Sequence, residues 1–103
     1  MQNPLKYKKI FIAGHTGMVG SALVRYLKKQ GAKKLILVTR KKLDLLNHDN
    51  VYKFIKHKKP DVIINCAGRV GGILANSKYP VEFLNINIMI QLNLINAAYQ
   101  NKI

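Results

Sequence analysis

The chain has 103 residues, 49% of them apolar, with 18 Lys+Arg against 4 Asp+Glu and a formal net charge of +14. That size and apolar content suit one small domain, residues 1–103, around one core; they exclude disorder by composition, no apolar run reaches membrane length, and Met1-Gln2-Asn3-Pro4 lacks a signal-peptide core. The single cysteine, Cys66, excludes an internal disulfide and fits a reducing, cytoplasmic setting, as a small buried residue at a strand end.

Lys9 to Ala13 reads as a buried strand. It runs into Gly14-His15-Thr16-Gly17-Met18-Val19-Gly20, a G-x-x-G-x-x-G run that opens a helical pattern. A glycine run between a strand and a helix is the context of a dinucleotide fingerprint. Gly14 takes the tight turn, Gly17 leaves space where a pyrophosphate approaches the backbone, and Gly20 lets the helix pack close to the sheet. The free N–H groups and dipole of the new helix then face the phosphates. The plainer alternative is a tight turn that binds nothing.

From Met18 to Gln30, Val19, Ala22, Leu23, Tyr26 and Leu27 recur at helical spacing, and Gly31 ends the helix. Lys34 to Val38 is a second apolar strand. Arg40 closes it, where NAD-specific proteins place an acid on the ribose 2′-OH. An arginine there, beside Lys41 and Lys42, favours a 2′-phosphate and hence NADP; the alternative is a solvated basic turn. Leu43-Asp44-Leu45 is a connecting turn, and Asn47 caps a helix carrying Val51, Phe54 and Ile55 that Pro60 stops. Asp61 to Asn65 is a third strand. The β-α-β-α-β succession predicts an α/β class: a partial Rossmann fold, with a parallel sheet flanked by helices in strand order 3-2-1. That order leaves the far side of the first strand as an open edge.

From Pro80 to Asn101 two periods compete. Ile86, Ile88, Ile90, Leu92 and Leu94 alternate with Asn85, Asn87, Met89, Gln91 and Asn93 as in a strand. The length without a turn signal, Pro80 at the start and Ala97-Ala98 at the end favour a helix, as does the stripe Phe83, Asn87, Ile90, Leu94, Ala97. One long helix is expected, apolar on more than one side and in need of burial on two.

Lysines are scattered through the sequence, mostly at element ends and on polar helix faces, and no aromatic pattern interleaves them. They imply at most weak, salt-sensitive binding of polyanions, with no specific nucleic acid and no membrane. His15 falls in the loop beside the phosphates, His48 and His57 on exposed positions, and no His/Cys/carboxylate spacing suggests a metal.

Asn65-Cys66-Ala67-Gly68 after the third strand resembles the short-chain dehydrogenase/reductase superfamily. Arg69-Val70-Gly71-Gly72-Ile73-Leu74-Ala75-Asn76, then Tyr79-Pro80, Phe83-Leu84, Asn87, Ile90, Asn93-Leu94-Ile95 and Ala97-Ala98, narrow this. Together with Phe11 to Ala22 they closely resemble the GDP-L-fucose synthases, over nearly the whole chain. Those are extended short-chain reductases that epimerise a GDP-linked 4-keto-6-deoxy sugar at C3 and C5, then reduce C4 with NADPH. The resemblance implies that Gly14, His15, Thr16, Gly17, Met18, Val19 and Gly20 form the phosphate loop, with Thr16 where several relatives carry arginine. It implies that Asp44 and Leu45 border the adenine, that Ala67, Gly68 and Arg69 pass beside the ribose and nicotinamide, and that Gly71, Gly72, Ile73 and Asn76 line the sugar-nucleotide entrance. A glycine-rich surface loop is the alternative for the last four. The family's catalytic Ser, Tyr and Lys lie after a fourth strand, and this chain stops at Asn101-Lys102-Ile103. The expectation is therefore the N-terminal part of the cofactor domain, inactive alone, with a complementary C-terminal chain or a homodimer through the 80–101 helix as partner. Tyr52-Lys53-Phe54-Ile55-Lys56 satisfies the superfamily's Y-x-x-x-K pattern but falls on the helix between strands two and three, away from the nicotinamide end, and is expected to be a decoy. Two other classes stay open: a non-enzymatic dinucleotide-binding or subunit-interaction module, and a weak basic nucleic-acid binder.

Overall fold

The computed structural model describes residues 4–69 and 77–103. Three parallel strands, β1 (Lys9–Ala13), β2 (Lys34–Ile36) and β3 (Val62–Asn65), form one sheet. Helix α1 (Met18–Lys29) joins β1 to β2, α2 (His48–Lys58) lies between β2 and β3, and α3 (Pro80–Gln100) follows β3.

β1 pairs with β2 along one side, Phe11 opposite Ile36, and with β3 along the other, Phe11 opposite Ile63. The α/β class and parallel sheet are as expected, but the order is β2-β1-β3 rather than 3-2-1. The open edges accordingly belong to β2 and β3, and β1 has none. The faces on which the helices pack explain the order. Ile10 and Ile12 point to α1, where they meet Val24 and Leu27. Phe11 and Ala13 point the other way, onto Val51 and Ile55 of α2 and Ile90, Leu94 and Ala97 of α3. A right-handed crossover that reverses direction must change face. With α1 and α2 on opposite faces, the step from β2 to β3 runs back over β1 to its free side. The apolarity of β1 fits that central place, since Ile10, Phe11, Ile12 and Ala13 are all buried. Phe11 also meets Phe54 of α2 in a tilted ring contact, 5.1 Å between centroids.

α1 turns a different stripe inward from the one its apolar spacing suggests. Gly20, Val24 and Leu27 are buried and Leu23 partly so, whereas Val19, Ala22 and Tyr26 are exposed. The contact at Gly20 fixes this rotation, because only there can the helix come against the turn that precedes it. α2 begins as expected: the Asn47 side chain accepts the Asn50 N–H at 3.0 Å. It ends at Lys59, which sits in the left-handed region (φ 48°) just before Pro60. α3 is a helix throughout 80–100, so length and burial override the period-two pattern. It buries Ile90, Asn93, Leu94 and Ala97 and leaves Val81, Leu84, Ile88, Leu92 and Ile95 exposed.

Candidate functional site

In open α/β sheets, ligands bind beyond the carboxyl ends of the strands, where neighbouring connections leave to opposite faces. Here that point lies between β1 and β3. A cleft of about 610 Å³ opens there.

Its floor is the turn after β1. Gly14 has φ 79°, and a Cβ there would lie 2.6 Å from the Ala67 nitrogen, so the ends of β1 and β3 touch only because the position is glycine. Gly17 N–H donates to the Gly14 carbonyl at 3.2 Å and closes the turn. A Cβ on Gly20 would run into the Gly14 carbonyl and the His15 Cα, whereas one on Gly17 would meet only the Gly14 oxygen, at 3.6 Å. The two glycines thus do different work: Gly20 admits the helix, and Gly17 keeps open space in front of it.

That helix starts without a cap. Gly17, its N-cap residue, has no side chain to accept the first N–H groups, and no acid lies in the first turn. α2 differs on both counts, with Asn47 capping and Asp49 in its first turn. Among the described residues, the amino end of α1 therefore has no side-chain cap for its first N–H groups and no acid in its first turn to answer its positive dipole.

The second wall is the segment after β2. Thr39 O accepts from both Lys42 N–H and Leu43 N–H at 3.0 Å, which curls the chain and leaves Arg40, Lys41 and Lys42 exposed while Leu43 is buried. Asp44 uses a carboxylate oxygen to accept the Leu46 N–H at 2.9 Å. Asn93 of α3, only 3% exposed, donates its amide to the Leu45 carbonyl at 2.8 Å.

The third wall follows β3. The Asn65 side chain accepts the Ala67 N–H at 2.9 Å and donates to Gln91 of α3 at 3.0 Å. Asn87, one turn earlier on α3, accepts the Arg69 N–H at 2.7 Å and donates to the Arg69 carbonyl at 3.1 Å. The Arg69 guanidinium lies over the Phe83 ring, 5.6 Å from its centroid.

Of the residues singled out in the sequence, Gly14, His15, Thr16, Gly17, Arg40, Asp44, Leu45, Ala67, Gly68 and Arg69 line this one cleft. Met18 and Val19 project from the first turn of α1 and are exposed, and Gly20 is buried behind the turn. Gly71, Gly72, Ile73 and Asn76 lie outside the described residues. Cys66 is half-buried and lines the cleft rather than being fully enclosed. Neither Tyr52 nor Lys56 lines it; the Lys56 ammonium sits 5.9 Å from the Tyr52 ring on α2. Sequence reasoning missed Asn65, Gln91 and Asn93 as supports of the cleft and took Asn87 as a stripe residue. The signal was present as polar residues recurring through the apolar alternation of α3.

Residues 10–103 match the profile of the NAD dependent epimerase/dehydratase family. The chain is 47% identical over 96 residues to GDP-L-fucose synthase 1 of Arabidopsis thaliana, which covers 93% of this chain and 30% of that protein. It is 45% identical over 96 residues to GDP-L-fucose synthase of Escherichia coli K12, with the same coverage. Among solved structures, the GDP-mannoheptose C4 reductase of Campylobacter jejuni with NADP bound superimposes at TM-score 0.89 and 41% identity, over 100% of this chain and 32% of that one. The chain thus spans about 30% of the length of the curated relatives it matches. Among the described residues no helix is long and apolar enough to cross a membrane, and no three His, Cys, Asp or Glu come together to hold a metal ion.

Proposed function

This chain belongs to the NAD dependent epimerase/dehydratase family, and from that premise we propose that it is the N-terminal, NADP-binding segment of a GDP-L-fucose synthase-like epimerase/reductase. The observation that carries the reading is the convergence of three separate segments, 14–17, 40–45 and 67–69, on one cleft at the uncapped start of α1. The cradle fits a dinucleotide. The N–H groups of the first turn of α1 hold the pyrophosphate, in the space that Gly17 leaves open. Arg40 answers the adenosine 2′-phosphate with a guanidinium, where an acid would repel it. Asp44 and Leu45 border the adenine, and the 67–69 segment after β3, pinned by Asn65 and Asn87, borders the nicotinamide ribose. When bound, the reduced cofactor supplies a hydride for a sugar carbonyl. Reduction also needs a proton donor beside the new alkoxide. Tyr52 does not stand in the cleft, so the proposal includes no turnover of a GDP-4-keto-6-deoxy sugar by this chain alone, and a nucleotide-sugar substrate only when a complementary chain supplies the catalytic residues.

Calorimetric titration tests the reading. NADPH should bind more tightly than NADH, and substrate-dependent NADPH oxidation should be absent. Equal affinities would overturn the cofactor assignment, and turnover that disappears in Tyr52→Phe would overturn the exclusion of Tyr52. A subunit-interaction role gains support from the exposed apolar residues of α3, which fit a homodimer contact or a complementary chain.

A further inference from the structure

The lysines that lie apart in the sequence come together at one end of the molecule. Parallel strands begin at the same end; β1 and β2 begin on lysines, Lys8-Lys9 and Lys33-Lys34, and Lys58-Lys59 close α2 shortly before β3. The register sets Lys9 beside Lys34. Asp61 is tied to Lys9 in both directions, N–H to carbonyl at 2.7 Å and Lys9 N–H to the Asp61 carboxylate at 2.8 Å, so the start of β3 lies there too. Helices that return to these strand starts end beside them, which adds Lys28 and Lys29 from the last turn of α1 and Lys56 from that of α2.

Little opposes this charge. Asp61 is the one carboxylate at this end. Asp44 lines the cleft at the opposite end, and Asp49 and Glu82 lie in the first turns of α2 and α3. Like charges on neighbouring strands repel and lower stability. A polyanion laid across the strand starts removes that repulsion and releases its own counterions.

We propose that the amino-end face of the sheet, opposite the cofactor cleft, binds single-stranded nucleic acid through its phosphates without reading sequence. The three arginines, the residues suited to bidentate base recognition, are Arg25, Arg40 and Arg69, and none begins a strand; lysines offer point charges only. Tyr7, between Lys6 and Lys8, is 60% exposed and offers a ring on which a base can stack. A membrane surface would call for a continuous apolar face among the lysines, whereas the exposed apolar residues at the strand starts are the isolated Tyr7 and Val62.

Fluorescence anisotropy with a labelled single-stranded oligonucleotide tests this across a salt series. Two triple variants remove the same charge: Lys8→Gln/Lys34→Gln/Lys58→Gln at the face, and Lys41→Gln/Lys42→Gln/Lys78→Gln at the opposite end of the sheet. The face variant should lose about tenfold or more in affinity at low salt, with its log–log salt slope shallower by about two, as expected for three lost phosphate contacts. The second variant should keep the parent slope. Equal losses in both would overturn the proposal in favour of net charge alone. Tighter binding to phosphatidylserine-containing vesicles than to the oligonucleotide, lost in the face variant, would overturn it in favour of a membrane. Circular dichroism of both variants checks that the fold is kept.

Discussion

Gly17 and Gly20 look alike in the sequence and have opposite vulnerabilities. A side chain on Gly17 extends into open space, so Gly17→Val should keep the thermal midpoint near that of the parent and abolish NADPH binding. Gly20→Ala sets its Cβ against the Gly14 carbonyl and forces α1 off the turn. Overpacking of that kind costs about 1–3 kcal/mol. A lowered melting midpoint in Gly20→Ala, with an unchanged one in Gly17→Val, checks the division; the reverse pattern would refute it. At Arg40 the expected change is in preference. Arg40→Asp removes the partner of a 2′-phosphate and supplies an acceptor for a free 2′-OH. The NADPH-over-NADH ratio should fall by about tenfold or more, the scale of one charge-assisted hydrogen bond. An unchanged ratio in paired titrations would return Arg40 to a solvated basic turn.

At the scale of elements, α3 supports the cleft as well as covering the core. Asn87, Gln91 and Asn93 reach the segments that form two of the cleft's walls, and Asn93 does so while buried. Asn93→Ala leaves the Leu45 carbonyl without this donor, at a cost of about 1–3 kcal/mol. The expected result is a lower melting midpoint together with faster amide exchange over 43–47, and exchange unchanged there would show that the turn holds itself. The sequence displayed the elements well, since the glycine run, Asn47 and Pro60 mark boundaries through local chemistry. It concealed how they are arranged. The inward stripe of α1 depends on a backbone contact at Gly20 that apolar spacing cannot register. The place of β3 beside β1 depends on which face α2 packs against, and β3 carries the same apolar run at a sheet edge as it would in the interior. The convergence of 14–17, 40–45 and 67–69 follows from parallel strands ending together, so those residues were legible. The amides of α3 acquire their role only when that helix crosses the strand ends.

At the scale of the whole molecule, the two ends of the sheet differ in chemistry and the flank of α3 differs from both. Val81, Leu84, Ile88, Leu92, Ile95 and Tyr99 are exposed at intervals of three and four residues, so they form one apolar stripe along the helix. β2 and β3 add open strand edges. Water contact along such a stripe is unfavourable by about 25 cal/mol per Å² of apolar surface, enough for two copies of the helix face to associate. The chain should therefore self-associate with rising concentration and bind an apolar dye when dilute. Leu92→Glu with Ile88→Glu should shift it toward monomer, and the melting midpoint should hold because both residues already face solvent. Analytical ultracentrifugation across a concentration series separates the outcomes. Sedimentation as a monomer throughout, with no dye bound, would show that α3 needs no partner. Association unaffected by the two glutamates would move the contact to the strand edges.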